Sequence, residues 1–324
     1  MADPPHEEDP PPTVFRRWAD VSAALAHPAL VIAPGAASAS PPPSDHLALG
    51  ERAEGLRTMA QALAAALPTG REVDLMSSYA APWARAVAAA VLEVDPARLP
   101  DLLPHSEVLF LAAAHAGGPE TGAGVSDAAT ALARLLPARL LAVQSFVALA
   151  HTLPHALCGA WLVLLEHPEE QARLVADPAL LPAALEELLR VAGPSRAVYR
   201  VALEDVTIGE PRIRRGATVR LELGEANRDP ARFREPDRYH PDRAEGLHLA
   251  FGRGRHACAG AQLIRQAAAM ATGVLLSRGP LRPAGAPAWL EGAAIRAPAS
   301  LPAIVATAGS APPPAPAAPS PRHA

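Results

Sequence analysis

Residues 138–168, ARLLAVQSFVALAHTLPHALCGAWLVLLEHP, are apolar on nearly every side. A helix with no polar face has none to offer water, so it belongs at the centre of a sizeable protein. Pro154 lies inside this stretch. It lacks an N–H and is expected to break one hydrogen bond and kink the helix. The surrounding patterns are mostly helical as well. FRRWADVSAALAHP (15–28) reads as a short amphipathic helix. HLALGERAEGLRTMAQALAAALP (46–68) has apolar residues three and four apart and stops at Pro68. Residues 80–94, 126–136, 168–177 and 178–193 read as further helices.

The texture changes at residue 196. RAVYRVALEDVTIGEPRIRRGATVRLELG (196–224) alternates and carries turn residues, which predicts short antiparallel strands. ANRDPARFREPDRYHPDR (226–243) predicts an irregular, charge-laced loop. HLAFGRGRHACAG (248–260) is glycine-rich, and a clear helix follows over 261–278. The expected class is mainly α with a small β region.

Half of the 324 residues are hydrophobic, enough for a large core, but only 4% are aromatic. That core must be built from Ala, Leu and Val. The net charge of −4 argues against a nucleic-acid binder. No Lys occurs, so Arg supplies all 29 basic side chains, a pattern that fits a GC-rich coding sequence. Two cysteines cannot make a disulfide framework. The start, MADPPHEEDPPP, has neither the basic nor the apolar region of a signal peptide. Pro, Gly or charge interrupts every long apolar run, so no membrane span is predicted and a cytoplasmic protein is expected. Residues 1–13 and 306–324 read as disordered, Pro-rich tails around one domain over 14–305, with a low-complexity break at 34–45.

Within FGRGRHACAG (251–260), Cys258 sits just before the late helix. A cysteine there meets free N–H groups and the positive end of the helix dipole, which favours thiolate. Gly252 and Gly254 allow tight turns and a close approach to a flat ligand. Gly260 leaves room for such a ligand against the first helical turn. Other readings stay open on these residues alone. Cys258 could be a buried small hydrophobe. His248, His256 and Cys258 could hold zinc, but lack a fourth ligand. Gly252, Gly254 and Ala257 fit a dinucleotide-binding fingerprint, but no βαβ unit surrounds them. Cys158, on the apolar helix, reads as packing.

FGRGRHACAGAQLIR resembles the heme-binding loop of the cytochrome P450 family. The resemblance implies that Cys258 is the axial ligand of heme b (iron protoporphyrin IX), cradled by Phe251, Gly252 and Gly260. Three matches lie upstream: EELLR, ANRDPARF and PDRYHPDR. Glu187 and Arg190 in EELLR resemble the family's Glu-x-x-Arg pair. Arg238 in PDRYHPDR resembles the arginine that completes that network. Arg200 and His256 resemble partners of the heme propionates, a role that suits a guanidinium fork.

Aligned on the long helix, ALAHTL (148–153) falls where the family has Ala-Gly-x-acid-Thr. Thr152 takes the alcohol position, His151 replaces the acid and Leu149 replaces the glycine. Thr152 and His151 are then the candidate catalytic proton donors, with His151 alternatively pointing away into a structural hydrogen bond, and Leu149 is expected to crowd the space for dioxygen. The likeness is good from Leu141 to Arg278 and thin before that. Material is short around 34–50, where only His46 and Arg52 stand in for a heme-facing helix, and between Pro96 and Leu140, under the usual pocket roof. A cytochrome P450-like fold with a reduced distal (B–C and F–G) region is implied.

The implied activity is monooxygenase-type oxidation of a small or carrier-/peptide-linked metabolite in secondary metabolism. Electrons would come from a ferredoxin and ferredoxin reductase. Peroxide-driven or non-redox chemistry at the heme, and a non-catalytic recruitment module, are the alternatives.

Overall fold

The computed structural model describes residues 12–32, 49–115, 123–137 and 142–307. In chain order the helices are α1 (Trp18–Ala26), α2 (Ala53–Ala66), α3 (Ala81–Leu92), α4 (Leu99–His115), α5 (Ala123–Leu135), α6 (Ala142–Val147), α7 (Leu153–Glu166), α8 (Pro168–Ala176), α9 (Leu181–Ala192), α10 (Leu223–Ala226) and α11 (Ala261–Ser277). The strands are β1 (Thr13–Phe15), β2 (Leu30–Val31), β3 (Glu72–Asp74), β4 (Ala197–Ala202), β5 (Val206–Thr207), β6 (Arg212–Ile213), β7 (Thr218–Glu222), β8 (Leu281–Pro283), β9 (Trp289–Glu291), β10 (Arg296–Pro298) and β11 (Pro302–Val305).

The main sheet has the order β1-β7-β4-β2, and a second has β3-β11-β8. Within 196–224 the pairing is antiparallel, with Val198 opposite Leu221. β1 instead joins β7 in parallel, Thr13 opposite Val219. The ordered domain therefore begins before residue 14. It also runs past 305, because Ala306 is buried and donates its N–H to the Pro280 carbonyl. Residues 1–11, 34–45 and 308–324 lie outside the described residues.

The apolar stretch forms one continuous helical rod over Ala142–Glu166, in three pieces. Between α6 and α7 lies a π-turn at Ala148–Thr152. Pro154 sits in the first turn of α7. The expected break is thus absorbed by a wide turn that carries one extra residue. Among the described residues this is the one helix long and apolar enough to cross a membrane, and 67% of its apolar window is buried inside the protein. Around it pack α3, α9 and α11. Gly159 lets α7 and α9 approach, since a Cβ there would lie 2.5 Å from the Ala192 carbonyl oxygen. Three aromatics pin α11. Trp83 donates to the Ala267 carbonyl (3.3 Å), Tyr79 to the Ala271 carbonyl (3.1 Å) and Trp161 to Thr272 Oγ1 (3.0 Å). Each of these three buried rings thereby satisfies its polar end.

α4 was not expected from the sequence. Pro100 and Pro104 hide its helical pattern, yet the helix persists by packing against α5 and the π-turn. Two helices therefore occupy part of the region where a shortened roof was expected. Phe110 of α4 stacks between His151 (5.3 Å) and His155 (5.2 Å). Ser106 spends its hydroxyl proton on the Leu103 carbonyl, so His151 Nε2–H donates to Ser106 Oγ at 2.8 Å. His155 Nδ1–H donates to the Pro298 carbonyl at 2.8 Å.

The irregular loop 226–243 wraps one buried carboxylate. Glu187 accepts from Arg190 Nε (2.7 Å) and Nη2 (2.9 Å), from Arg243 Nε (2.8 Å) and from the His240 N–H (3.0 Å). Arg190 also donates to the carbonyls of Asn227, Pro236 and Arg238. The third member of the network is therefore Arg243, not Arg238. Arg238 contributes its carbonyl, and its side chain turns outward to Glu235. A loop that curls around Arg190 points Arg238 to solvent and brings Arg243 back underneath, 5% exposed.

Breaking this network leaves a buried guanidinium uncompensated. Glu187→Gln should cost about 3–5 kcal/mol, read by urea unfolding; an effect below about 1 kcal/mol, the scale of a surface pair, would contradict the buried role. A second expectation concerns pH. Burial, with the Arg85 and His155 charges, pushes His151 down to about 4, and burial also lowers His155. The unfolded imidazoles titrate near 6.5, so their contribution is complete above that pH and is lost as pH falls from about 6.5 towards 4. His151→Gln should flatten the fall in urea midpoint between pH 6.5 and 5; an unchanged slope would refute the assignment.

Candidate active site

The cysteine loop is held from three sides. Asn227 Oδ1 accepts the Leu249 N–H (2.6 Å), and the Gly252 N–H closes on the Leu249 carbonyl (2.9 Å). Gly252 and Gly254 have φ of 68° and 73°. A Cβ on Gly254 would stand 2.7 Å from the Leu25 carbonyl oxygen and 2.9 Å from Ala26 Cα. The need for glycine at 254 thus comes from α1 pressing on the loop and not from a ligand. Arg253 ties the same contact by donating to Ser22 Oγ (2.7 Å). At Gly260 a Cβ would meet only Cys258 Sγ and Ile264, both at 4.0 Å, so protein contacts alone do not demand glycine there.

The Cys258 N–H donates to the Phe251 carbonyl (2.8 Å), which folds the loop back and presents the thiol ahead of α11. Burial pushes this thiol up. The Gly260 N–H and the Arg265 charge pull it down without overcoming burial. The N–H at the helix start thus favours thiolate, as expected from the sequence, while burial opposes it; a bound metal would displace the proton. Cys258 is crowded by protein yet exposed, because its sulfur opens into a cavity.

That cavity, about 220 Å³, lies between the cysteine loop, β4 and the π-turn. Phe251, Gly252, His256 and Cys258 line one side. Arg200 and Val198 of β4 line another, and Ala148, Thr152, Leu153 and Ala156 line the third. Arg200 is 5% exposed, and its Nη1 donates to the Tyr199 carbonyl. Its Nε and His256 Nε2 are both buried without a partner. Burial pushes Arg200 down to about 10. Burial, then the charges of Arg200 and Arg255, lowers His256. Both side chains line one apolar cavity that no Asp or Glu lines, and neither nitrogen has a partner. Leaving such groups unmatched costs on the order of 1–3 kcal/mol each. The arrangement fits an anionic, mostly apolar group that also offers a metal to sulfur, which describes iron protoporphyrin IX.

Thr152 reaches the cavity, but His151 does not; it faces Ser106 and Phe110 of α4. Leu149 is also absent from the lining and packs in the core, 2% exposed. Ala148 takes its place, because the wide turn changes which residues of the rod face the cavity. The assignment of His151 as a proton donor to the cavity is therefore corrected, as is the crowding expected from Leu149. Cys158 is fully buried among apolar side chains. Among the described residues no three His, Cys, Asp or Glu side chains converge as a metal cluster, so the zinc reading of His248, His256 and Cys258 fails. A larger cleft, about 970 Å³, adjoins the cavity at Ser195. Arg16–Glu225 and Arg228–Asp237 pair within it, and no Cys or His lines it.

Sequence reading missed a second network behind the cysteine. Glu186 of α9 accepts from Arg265 Nε (2.7 Å) and Nη2 (2.8 Å) of α11. Arg265 lies over the Phe251 ring at 4.5 Å. His248 Nδ1 accepts the Ala250 N–H, so its proton is on Nε2, 3.2 Å from Glu186 Oε2. The signal was available in QLIR: Arg265 lies one helical turn beyond Ala261.

The family model for cytochrome P450 matches residues 163–278, which hold Glu187, Arg190, Arg200 and Cys258. Cytochrome P450 107B1 of Saccharopolyspora erythraea is 34% identical over 271 residues, 73% of this chain and 66% of that protein. Nocardicin C N-oxygenase of Nocardia uniformis is 43% identical over 151 residues, 45% of this chain and 38% of that protein. The chain spans from a third to about two thirds of the length of the curated relatives it matches first. The ligand-free crystal structure of CYP164A2 from Mycobacterium smegmatis superposes with a TM-score of 0.78 at 26% identity, covering 90% of each chain. With the cysteine loop, the buried Glu-x-x-Arg pair and the two unmatched nitrogens in one such fold, the chain belongs to the cytochrome P450 family.

Proposed function

We propose that the chain is a heme-thiolate oxidoreductase that oxidises a small, largely apolar metabolite in monooxygenase fashion. One observation carries the reading: Arg200 and His256 line the same cavity as the Cys258 thiol, and each keeps a buried ring or guanidinium nitrogen without a partner. Cys258 would hold the iron, and Arg200 and His256 the two carboxylates of heme b. When bound, the heme supplies the redox chemistry, with electron density from the thiolate favouring O–O cleavage.

The chain's own residues set the surroundings. Phe251 and Ile264 keep the sulfur side apolar, which strengthens each electrostatic contact made there. Thr152 offers a hydroxyl to the distal side, where it can donate and accept a proton at Oγ1. Ala148, Leu153 and Ala156 favour an apolar substrate. The nocardicin C N-oxygenase relative supports a role in secondary metabolism. No flavin or iron–sulfur motif occurs in the chain, so electrons would come from a ferredoxin and its reductase.

A second reading, peroxide-driven turnover, is favoured by the retreat of His151 and by a cavity without a carboxylic acid. The test compares ferredoxin, reductase and NADPH with hydrogen peroxide over a panel of apolar small molecules. Substrate-dependent NADPH oxidation coupled to product supports the first reading. Product from peroxide alone supports the second. A heme-loaded protein inert to both would end the enzyme reading.

Two variants sharpen this. Arg200→Gln removes a charge-assisted bond worth roughly 1.5–3 kcal/mol, so transfer of heme to a globin acceptor should run about 10–100 times faster; an unchanged rate would remove Arg200 from the propionate role. Thr152→Ala should keep the heme spectrum, divert electrons to peroxide and lower product per NADPH. Unaltered coupling would show that Thr152 handles no proton.

A further inference from the structure

Glu186 and Arg265 are not needed to close the cysteine loop, yet they sit against it. Glu187 faces Arg190 and Arg243, while Glu186, one residue earlier and about 100° round the helix, faces the cysteine helix. The bond is bidentate, which fixes the guanidinium plane. That plane lies over Phe251 at 4.5 Å, and Phe251 accepts the Cys258 N–H through its carbonyl. His248, at the far end of the loop, completes the cluster on Glu186 and leans on Phe251 at 6.0 Å. One carboxylate thus touches both ends of the segment that presents the sulfur.

We infer that Glu186 and Arg265 are positioning residues that set the electron-donating strength of the Cys258 thiolate. Arg265 brings a positive charge toward the sulfur through the fixed contact with Phe251. Glu186 holds that charge in place and offsets most of it. The pair is partly exposed, at 33% and 40%, so its contribution to stability alone is small. Its electrostatic effect on a site within a few ångströms of apolar surroundings is larger. Supporting this, Arg265 is among the groups that act on the Cys258 thiol, and Glu186 is held down to about 2, with burial opposing and His248 and Arg265 stabilising the carboxylate.

The inference rests on the heme-thiolate reading, and its sign follows from charge. Reduction of the iron adds one negative charge to the bound group, so positive charge nearby raises the reduction potential. Glu186→Gln unmasks Arg265 and should shift the potential upward. Arg265→Gln leaves Glu186 uncompensated and should shift it downward. The double variant should return towards the parent value, and Arg265→Lys, which keeps the charge, should recover part of the downward shift.

The experiment is a dye-coupled dithionite titration of the ferric–ferrous couple in the full chain, with the reduced carbon monoxide spectrum recorded for each protein. Opposite shifts in the two single variants, with the thiolate Soret band retained, support the inference. Shifts of the same sign, or none, overturn it and leave the heme reading intact. A parent protein without a thiolate Soret band overturns both. Should Arg265→Gln fail to fold, Glu186→Gln decides alone by the sign of its shift.

Discussion

A single buried carboxylate organises the proximal half of this molecule. Glu187 takes two bonds from Arg190, one from Arg243 and one from the backbone of His240. An irregular loop has no ladder to satisfy its carbonyls, so its shape depends on side-chain donors. Arg190 and Arg243 supply them to Asn227, Arg234, Glu235, Pro236 and Arg238. Asn227 then passes order onward through its side chain to the Leu249 N–H, the first step of the cysteine loop. The position of the sulfur is therefore inherited from an ion network on α9.

The cavity under that sulfur is incomplete as protein. Its apolar walls are matched by packing, but two lining side chains, Arg200 and His256, each keep a buried nitrogen without a partner. Burial lowers the basicity of Arg200 and His256 and raises that of Cys258, so each group pays to be there unless a third component supplies anions and a metal. Opposite the sulfur, the π-turn decides what the cavity sees. It shows Ala148 and Thr152 and withholds Leu149 and His151. The histidine is used instead as a packing group between α4 and the long rod.

Much of this was legible because it is local. The all-apolar rod is written in contiguous residues whose pattern needs no tertiary context, and the cysteine loop and the Glu187–Arg190 pair are short contiguous motifs identified by resemblance. Arg200 and His256 were found by resemblance, and the structure adds the physical reason for them. What escaped depends on how distant segments meet. Arg238 and Arg243 look equally able to reach Glu187 on paper, and only the curl of the loop separates them. α4 is masked by two prolines, of which Pro104 alone lies in the helix interior and has its cost offset by packing against α5. The face of Leu149 and His151 hinges on one extra residue in a turn, which no periodicity of 3.6 records. Glu186–Arg265 joins two helices 79 residues apart.

The central claim is that a thiolate from Cys258 ligates iron, and it can be read in one spectrum. The purified chain, reduced with dithionite and exposed to carbon monoxide, should show a Soret band moved to the long wavelength characteristic of thiolate ligation, and Cys258→Ala should lose it. A protein that takes up no heme, or a variant that keeps the band, would contradict the account.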